Sequence, residues 1–290
     1  MALIEQLLIN GLVSGGVYVL VAIGLTIVFG VLGIVNFAHG EFYMLGGYFA
    51  LIFATATGMP FYLALPVAML GGAIIGVLAE RLIFRSGGAQ LQADTIITSF
   101  GLSIVLQNLA LLVFGPQPQL IRSGVPGGAM KLFNAYISTQ RVIIPIVALI
   151  LVVLLHLLLT YTWTGRALRA VAQQPTVAKI VGVDVNRIAM SAFAIGSALA
   201  AGAGALMGTV FTMGPSIGGA IALKAFTVVI LGGMGNIYGA IGAGLLLGIA
   251  ESFTAGFLGS QWRDAVAFLM VIAVLLLRPN GLFGFSAKRA

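Results

Sequence analysis

The chain has 290 residues, 60% of them hydrophobic and only 7% charged. Soluble domains carry about 25% charged side chains, so the composition excludes a soluble globular protein and implies a polytopic membrane protein. The absence of cysteine excludes disulfides, thiolate metal sites and a cysteine nucleophile, and the net charge of +7 reads as a topology signal rather than a nucleic-acid footprint.

A helix needs roughly 20 apolar residues to cross a bilayer. Residues 1–9 lack a basic region, and the apolar stretch runs far past the length of a signal-peptide core, so a span rather than a cleavable leader is expected there. In chain order, spans are predicted near 8–31, 40–57, 61–80, 95–114, 142–162, 187–211, 237–257 and 262–277, with a shorter apolar segment at 222–234. The expected loops are 81–94, 115–141, 163–187, 212–221 and the tail from Arg278. The fold class is all-α, a transmembrane helix bundle forming a single domain over 1–290.

Basic residues orient the array. Arg81, Arg85, Arg166, Arg169, Lys179, Arg187, Arg278, Lys288 and Arg289 fall on loops assigned to the inside, and Arg122, Lys131, Arg141, Lys224 and Arg263 on the outside, a split of 9 to 5. If 163–187 and the tail are both cytoplasmic, an even number of crossings separates them, so 222–234 must cross too. The count is then nine, or eight if that segment is re-entrant, with the N-terminus external and the C-terminus cytoplasmic. Glycine pairs at four-residue spacing (Gly11/Gly15, Gly72/Gly76, Gly204/Gly208, Gly235/Gly239 and Gly244/Gly248) allow helices to approach closely, and packing within the chain is the expected use.

Two polar interruptions join apolar runs through glycines and one asparagine: Gly33-Ile-Val-Asn36-Phe-Ala-His39-Gly40-Glu41 and Gly232-Gly-Met-Gly235-Asn236-Ile-Tyr238-Gly239. They resemble a duplicated broken-helix element, a device that exposes backbone groups beside a transport pathway. Ionisable groups at membrane depth are costly, so His39 and Glu41 are either part of a gate or satisfied at an interfacial helix end. Ser99, Ser103 and Gln107 share a helix face by their spacing, suited to interhelical hydrogen bonds or to a pathway lining. Asn36, Asn236 and Tyr238 complete the pathway candidates. Glu251 lies late in its span, and His156 is expected to be a hydrogen-bonded bundle residue. A lone histidine offers no metal site.

The segment 163–187 is polar and basic in an otherwise apolar chain. Gly165 is expected to end the preceding span, and Arg166–Gln174 reads as a short helix. Pro175 suits the first turn of a second helix, which Gly182 can terminate. Val177, Ile180 and Val181 recur at i, i+3 and i+4, an apolar stripe able to lie on lipid or dock in a partner's groove. Periodicity alone does not choose between these.

This segment resembles the coupling loop of permease subunits in ATP-binding-cassette importers of the branched-chain amino acid (LivH-type) family. The stretch from Ala22 to Glu41 resembles that family's N-terminal signature. Glu80-Arg81, Lys224-Ala-Phe-Thr, Leu231-Gly-Gly-Met-Gly235, Leu247-Gly-Ile-Ala-Glu251 and the closing Arg278-Pro-Asn-Gly-Leu-Phe-Gly284 agree in order. Two departures are Tyr238, where a proline is common, and Phe84-Arg85-Ser86, which lacks the usual proline.

The resemblance implies a non-catalytic permease subunit of the bacterial inner membrane, passing branched-chain or related hydrophobic amino acids. Relatives that handle urea, short amides or other amino acids share these motifs. The implied assembly holds a second, related permease, two cytoplasmic ATPases and an external substrate-binding protein, with no nucleic acid. No cofactor is expected on this chain, which has no Gly-x-x-x-x-Gly-Lys-[Ser/Thr] loop; ATP and Mg belong to the ATPases. Val177, Ile180 and Val181, with Gln174, Ala178 and Gly182 around them, would seat the coupling helix, and Arg166, Arg169 and Lys179 would supply charged contacts. A secondary transporter would want more buried carboxylates than Glu41 and Glu251. An intramembrane protease built on Ser197 would want a positioned histidine that the sequence order does not supply.

Overall fold

The computed structural model describes residues 2–58, 61–85, 92–121, 128–132 and 135–284. Ser86, Arg122, Lys288 and Arg289 lie outside them. Among the described residues the chain is almost entirely helical. The helices are α1 (Ala2–Leu32), α2 (His39–Thr57), α3 (Phe61–Ala79), α4 (Gln92–Phe114), α5 (Thr139–Tyr161), α6 (Trp163–Gln173), α7 (Pro175–Ile180), α8 (Val185–Met207), α9 (Ile217–Gly232), α10 (Ile237–Phe257) and α11 (Arg263–Leu277). A π-helical turn, Glu80–Phe84, extends α3.

Seven of these are long and apolar enough to cross a membrane. The remaining two of the nine predicted crossings are α2, which carries His39 and Glu41 in its first turn, and α9, which has 16 residues. The predicted loop 115–141 is not wholly irregular. It contains an antiparallel hairpin of β1 (Ala129–Leu132) and β2 (Ala135–Ser138), and Gln119 bridges to Met213.

Small residues set the packing. α1 is the central element, and it runs antiparallel to α10: Gly11 lies on the backbone of Ile249 and Gly15 on that of Leu245, while Gly248 faces Gly15. α3 runs antiparallel to α8 through Gly72 against Ala201 and Gly76 against Ser197. Without a hydrophobic drive between helices in lipid, this backbone approach maximises van der Waals contact. The predicted use of the glycine pairs within the chain thus holds for the two on α1 and α10, for the one on α3, and for Gly204/Gly208 at the end of α8, which meet the Tyr43 backbone and the Ile121 and Met213 side chains. At Gly235 nothing would meet a Cβ, and its φ of +83° shows that it serves a turn instead.

Charge is segregated along the bundle axis. One end gathers the π-turn, α6, α7, the start of α8 and the segment 278–284, and with them Arg81, Arg85, Arg166, Arg169, Lys179, Arg187 and Arg278. The other end holds Arg141, which donates to Asn10 Oδ1 at 2.8 Å, and Arg263. Lys224, counted with the outer basic residues at the start of the 222–234 segment, is instead in the middle of a helix. α9 starts at Ile217, earlier than the hydropathy suggests, and carries Lys224 into the bundle.

Candidate functional site

Three groups of polar or exposed residues stand out against the apolar bundle. The first surrounds the break between α1 and α2. Gly33 ends α1 with φ +67°, a conformation that glycine adopts without strain. Asn36 Oδ1 then accepts the Ala38 N–H at 3.0 Å and its carbonyl accepts the His39 N–H, so this asparagine forms the turn that leads into α2. The His39 ring bonds through Nε2 to the Val21 carbonyl at 3.0 Å, well inside α1. Asn36, His39 and Glu41 are all almost fully buried, so the α2 N-terminus is packed within the protein.

α4 closes over this break. Ser99 Oγ accepts the Phe37 N–H at 3.2 Å, and one turn later Ser103 Oγ donates to Glu41 Oε1 at 2.9 Å. Gln107 is half-buried a further turn along the same face. Phe37 stacks obliquely on Phe100 of α4 and Phe226 of α9, with centroids 5.4 and 5.0 Å away. The second Glu41 oxygen, the Asn36 amide nitrogen and His39 Nδ1 have no hydrogen-bond partner. Buried polar groups are normally satisfied, which sets this break apart from the apolar packing around it.

The Glu41 carboxylate rests against Gly218 in the first turn of α9, and Gly40 lies on the Gly218 carbonyl. The N-termini of α2 and α9 therefore meet at Glu41, whose carboxyl group faces the positive end of the α9 dipole. Gly218→Val would drive a branched side chain into that carboxylate. We expect about 1–3 kcal/mol of destabilisation, read as a lowered Tm of the detergent-purified protein. An unchanged Tm would show that the two helix ends are free to separate.

The second group is the segment between α5 and α8. Gly165 does not end the preceding span. α5 stops at Tyr161, Thr162 Oγ1 caps α6 by accepting the Gly165 N–H at 3.0 Å, and Gly165 sits on the Leu158–Leu159 backbone, where a Cβ would not fit. α6 buries Ala167, Leu168 and Val171 and exposes Arg166 and Arg169. Gln174 precedes Pro175 at the start of α7. The end of α7 closes with the Val183 N–H on the Ala178 carbonyl at 3.0 Å and Gly182 at φ +88°. Asp184 then caps α8, accepting from the N–H groups of Asn186 and Arg187.

Ala178 is the inward face of α7, at 3% exposure, while Val177, Ile180 and Val181 are 49%, 78% and 72% exposed. Lys179 stands beside them, exposed. A short helix fixed at both ends thus presents three aliphatic side chains outward.

The structure separates the other candidates from the Glu41 cluster. Asn236 caps α10, accepting the Gly239 N–H at 3.1 Å, and donates to the Phe283 carbonyl at 2.8 Å. The closing motif 278–284 tucks under the α9–α10 break in this way, with Leu282 N–H on the Leu231 carbonyl. Tyr238 is 68% exposed and bonds His156 Nδ1 at 3.2 Å, far from α2 in the packing. Ser197 spends its hydroxyl on the Phe193 carbonyl, one turn back on its own helix.

A third group has residues too far apart in sequence to be read together. Glu251, 3% exposed on α10, accepts the Tyr18 hydroxyl of α1 at 2.7 Å and pairs with Lys224 of α9, which also reaches Asp264 of α11 at 2.7 Å. The only advance signal was Glu251 in an apolar run with Lys224 in another.

Comparison with known proteins agrees with this architecture. A family model described as branched-chain amino acid transport system / permease component matches residues 7–275. The high-affinity branched-chain amino acid transport system permease protein BraD of Pseudomonas aeruginosa is 38% identical over 96% of this chain and 95% of its own length. LivH of Escherichia coli, with the same description, is 36% identical over 96% of this chain and 95% of its own. LivM of the same organism, likewise described as a permease protein of that system, is 27% identical over 92% of this chain and 67% of its own. Among solved structures, PsaBC from Streptococcus pneumoniae in complex with Fab superposes with a TM-score of 0.52 at 14% identity, covering 93% of this chain and 91% of that one, a likeness of fold. The chain is a multi-pass membrane protein and belongs to the family of permease components of branched-chain amino acid transport systems.

Proposed function

We propose that this chain is one half of the membrane pathway of an ATP-driven importer for branched-chain or related hydrophobic amino acids. It pairs with a second, related permease, receives substrate from an external binding protein, and is driven by two cytoplasmic ATPases that hold the ATP and Mg. The chain itself does no bond chemistry. The likeness to both LivH and LivM supports a heterodimer. The concentration of arginines at the α6–α7 end supports a cytoplasmic position for that end in the inner membrane, with the N-terminus external.

The observation that carries this reading is α7. Val177, Ile180 and Val181 are held outward on a helix closed by backbone hydrogen bonds and followed directly by the Asp184 cap of α8. A fully buried aliphatic side chain of this size contributes about 1.5–3 kcal/mol, so seating this face in an ATPase groove gives a firm mechanical link. Closure of the ATPase pair then tilts α5 and α8, which flank the segment, as rigid bodies. The pathway runs beside the Phe37, Phe100 and Phe226 cluster, where the meeting of α2, α4 and α9 at Glu41, Ser103 and Gly218 forms the gate. Apolar side chains suit the aromatic surface, and the unpartnered Glu41 oxygen suits a passing ammonium group.

The chain has no cysteine, so Val181→Cys introduces a single thiol. Paired with a cysteine on the ATPase groove surface, it is expected to cross-link in membranes of the assembled transporter, with a yield that changes when ATP is added. Labelling of Val181→Cys by a lipid-phase reagent without any cross-link would place α7 on the bilayer and overturn the coupling role.

A further inference from the structure

Tyr238 does not join the polar cluster at α2. It stands with His156 and Arg169 on the outer side of the bundle. α5 and α10 both pack on α1, and between them lies a groove whose walls are aliphatic, Leu155 and Ile241 among them. Its polar members are His156, Thr160, Arg169 and Tyr238. The Tyr238 hydroxyl and His156 Nδ1 hold each other at 3.2 Å. No Asp or Glu lines the groove, and Arg169 makes no ion pair among the described residues.

The depth of the groove is set by its neighbours. Tyr161 and Trp163, at the α5–α6 junction next to Thr160, are 74% and 62% exposed. Exposed aromatics of this kind sit at the level of lipid headgroups. The groove therefore runs from headgroup level at Arg169 into the acyl region along α5 and α10.

We propose that this groove is a binding site for an acidic phospholipid of the surrounding leaflet. The phosphate lies against the Arg169 guanidinium and the Thr160 hydroxyl and takes the single O–H of Tyr238, with His156 as the Nδ1–H tautomer that donates to the Tyr238 oxygen, and one acyl chain lies along Leu155 and Ile241. An arginine without a carboxylate partner, flanked by neutral donors, fits a phosphodiester and leaves a free amino group on the lipid without an acceptor. The aliphatic walls call for a ligand with chains, which a soluble phosphate lacks. The bound lipid would tie α10 to α6, the helix that leads into α7.

The assembled transporter, exchanged into mixed micelles of phosphatidylglycerol and phosphatidylcholine, can be read by native mass spectrometry for retained lipid. Phosphatidylglycerol is expected to be retained in preference. Arg169→Gln should lower that retention about fivefold and leave phosphatidylcholine unchanged, Arg169→Lys should keep most of it, and Tyr238→Phe should lower it. Equal retention of the two lipids, or no loss in the Arg169→Gln/Tyr238→Phe double variant, would overturn the proposal. So would displacement by glycerol phosphate alone, which would make the ligand a soluble anion. Cross-linking of Ile241→Cys to the second permease would show a protein interface in place of lipid. Lipid retention is measured without ATP, so its failure is distinguishable from failure of the coupling role of α7.

Discussion

Ile180→Asp is expected to abolish ATP-driven uptake while the chain still inserts and folds. Ile180 is 78% exposed, so in the isolated chain a carboxylate there meets water and disturbs no packing. In the assembled transporter it would place a charge among side chains that should be apolar. The loss includes the roughly 1.5–3 kcal/mol of the buried isoleucine and the cost of desolvating an unpaired carboxylate. One such residue therefore weakens docking by at least about tenfold, and uptake fails because the ATPase motion no longer reaches α5 and α8. The measurement is uptake into vesicles, beside a co-purification of the ATPases with the variant chain. Normal uptake by Ile180→Asp would remove α7 as the coupling element. Ala178→Asp makes a contrast: Ala178 is packed inward at 3% exposure, and its variant should lower the yield of folded protein as well.

Lys224→Met is expected to destabilise the bundle by about 3–5 kcal/mol, and Lys224→Met/Glu251→Gln to recover most of that loss. Lys224 and Glu251 side chains are 15% and 4% exposed, so removal of the cation leaves a buried carboxylate with only the Tyr18 hydroxyl at 2.7 Å. Replacing both partners removes the uncompensated charge altogether. Asp264→Asn should matter little, within about 1 kcal/mol, since Asp264 is 74% exposed and its side of the pair is solvated or at the lipid surface. Thermal unfolding of the detergent-purified complex separates these outcomes. If the single variant is as stable as the parent, the charged network is not what fastens α9 and α10 to α1.

The helices were legible because a bilayer-length apolar run is a strong signal, and their boundaries followed wherever glycine, proline or asparagine interrupts it. The antiparallel glycine contacts of α1 with α10 could be anticipated in kind but not in pairing, since close approach leaves no mark on which partner is approached. Lys224 was misplaced for a related reason. The predicted segment began at 222 and missed the first turn of α9, whose Gly218-Gly-Ala-Ile-Ala run carries little hydropathy signal yet is helical, so Lys224 lies deeper along the helix than expected. Asn36 and Asn236 look equivalent in sequence, but Asn236 caps its helix while Asn36 makes the turn before α2. Only the structure separates the buried break at α2, with its unpartnered Asn36 amide, from the break at α10, where Phe283 satisfies Asn236. The association of Glu41 with Ser103 and Gly218, and of Tyr18 with Glu251, joins residues from opposite parts of the chain, and local patterning carries no record of such contacts.

The central claim is that this chain moves substrate only when an ATPase drives it through α7. Proteoliposomes holding the chain with its second permease and ATPases, supplied with the external binding protein and radiolabelled leucine, test it directly. Uptake should require ATP on the α6–α7 side and the binding protein on the other, and should vanish when the ATPases are omitted. Leucine flux through the two permeases alone, without ATP, would contradict it.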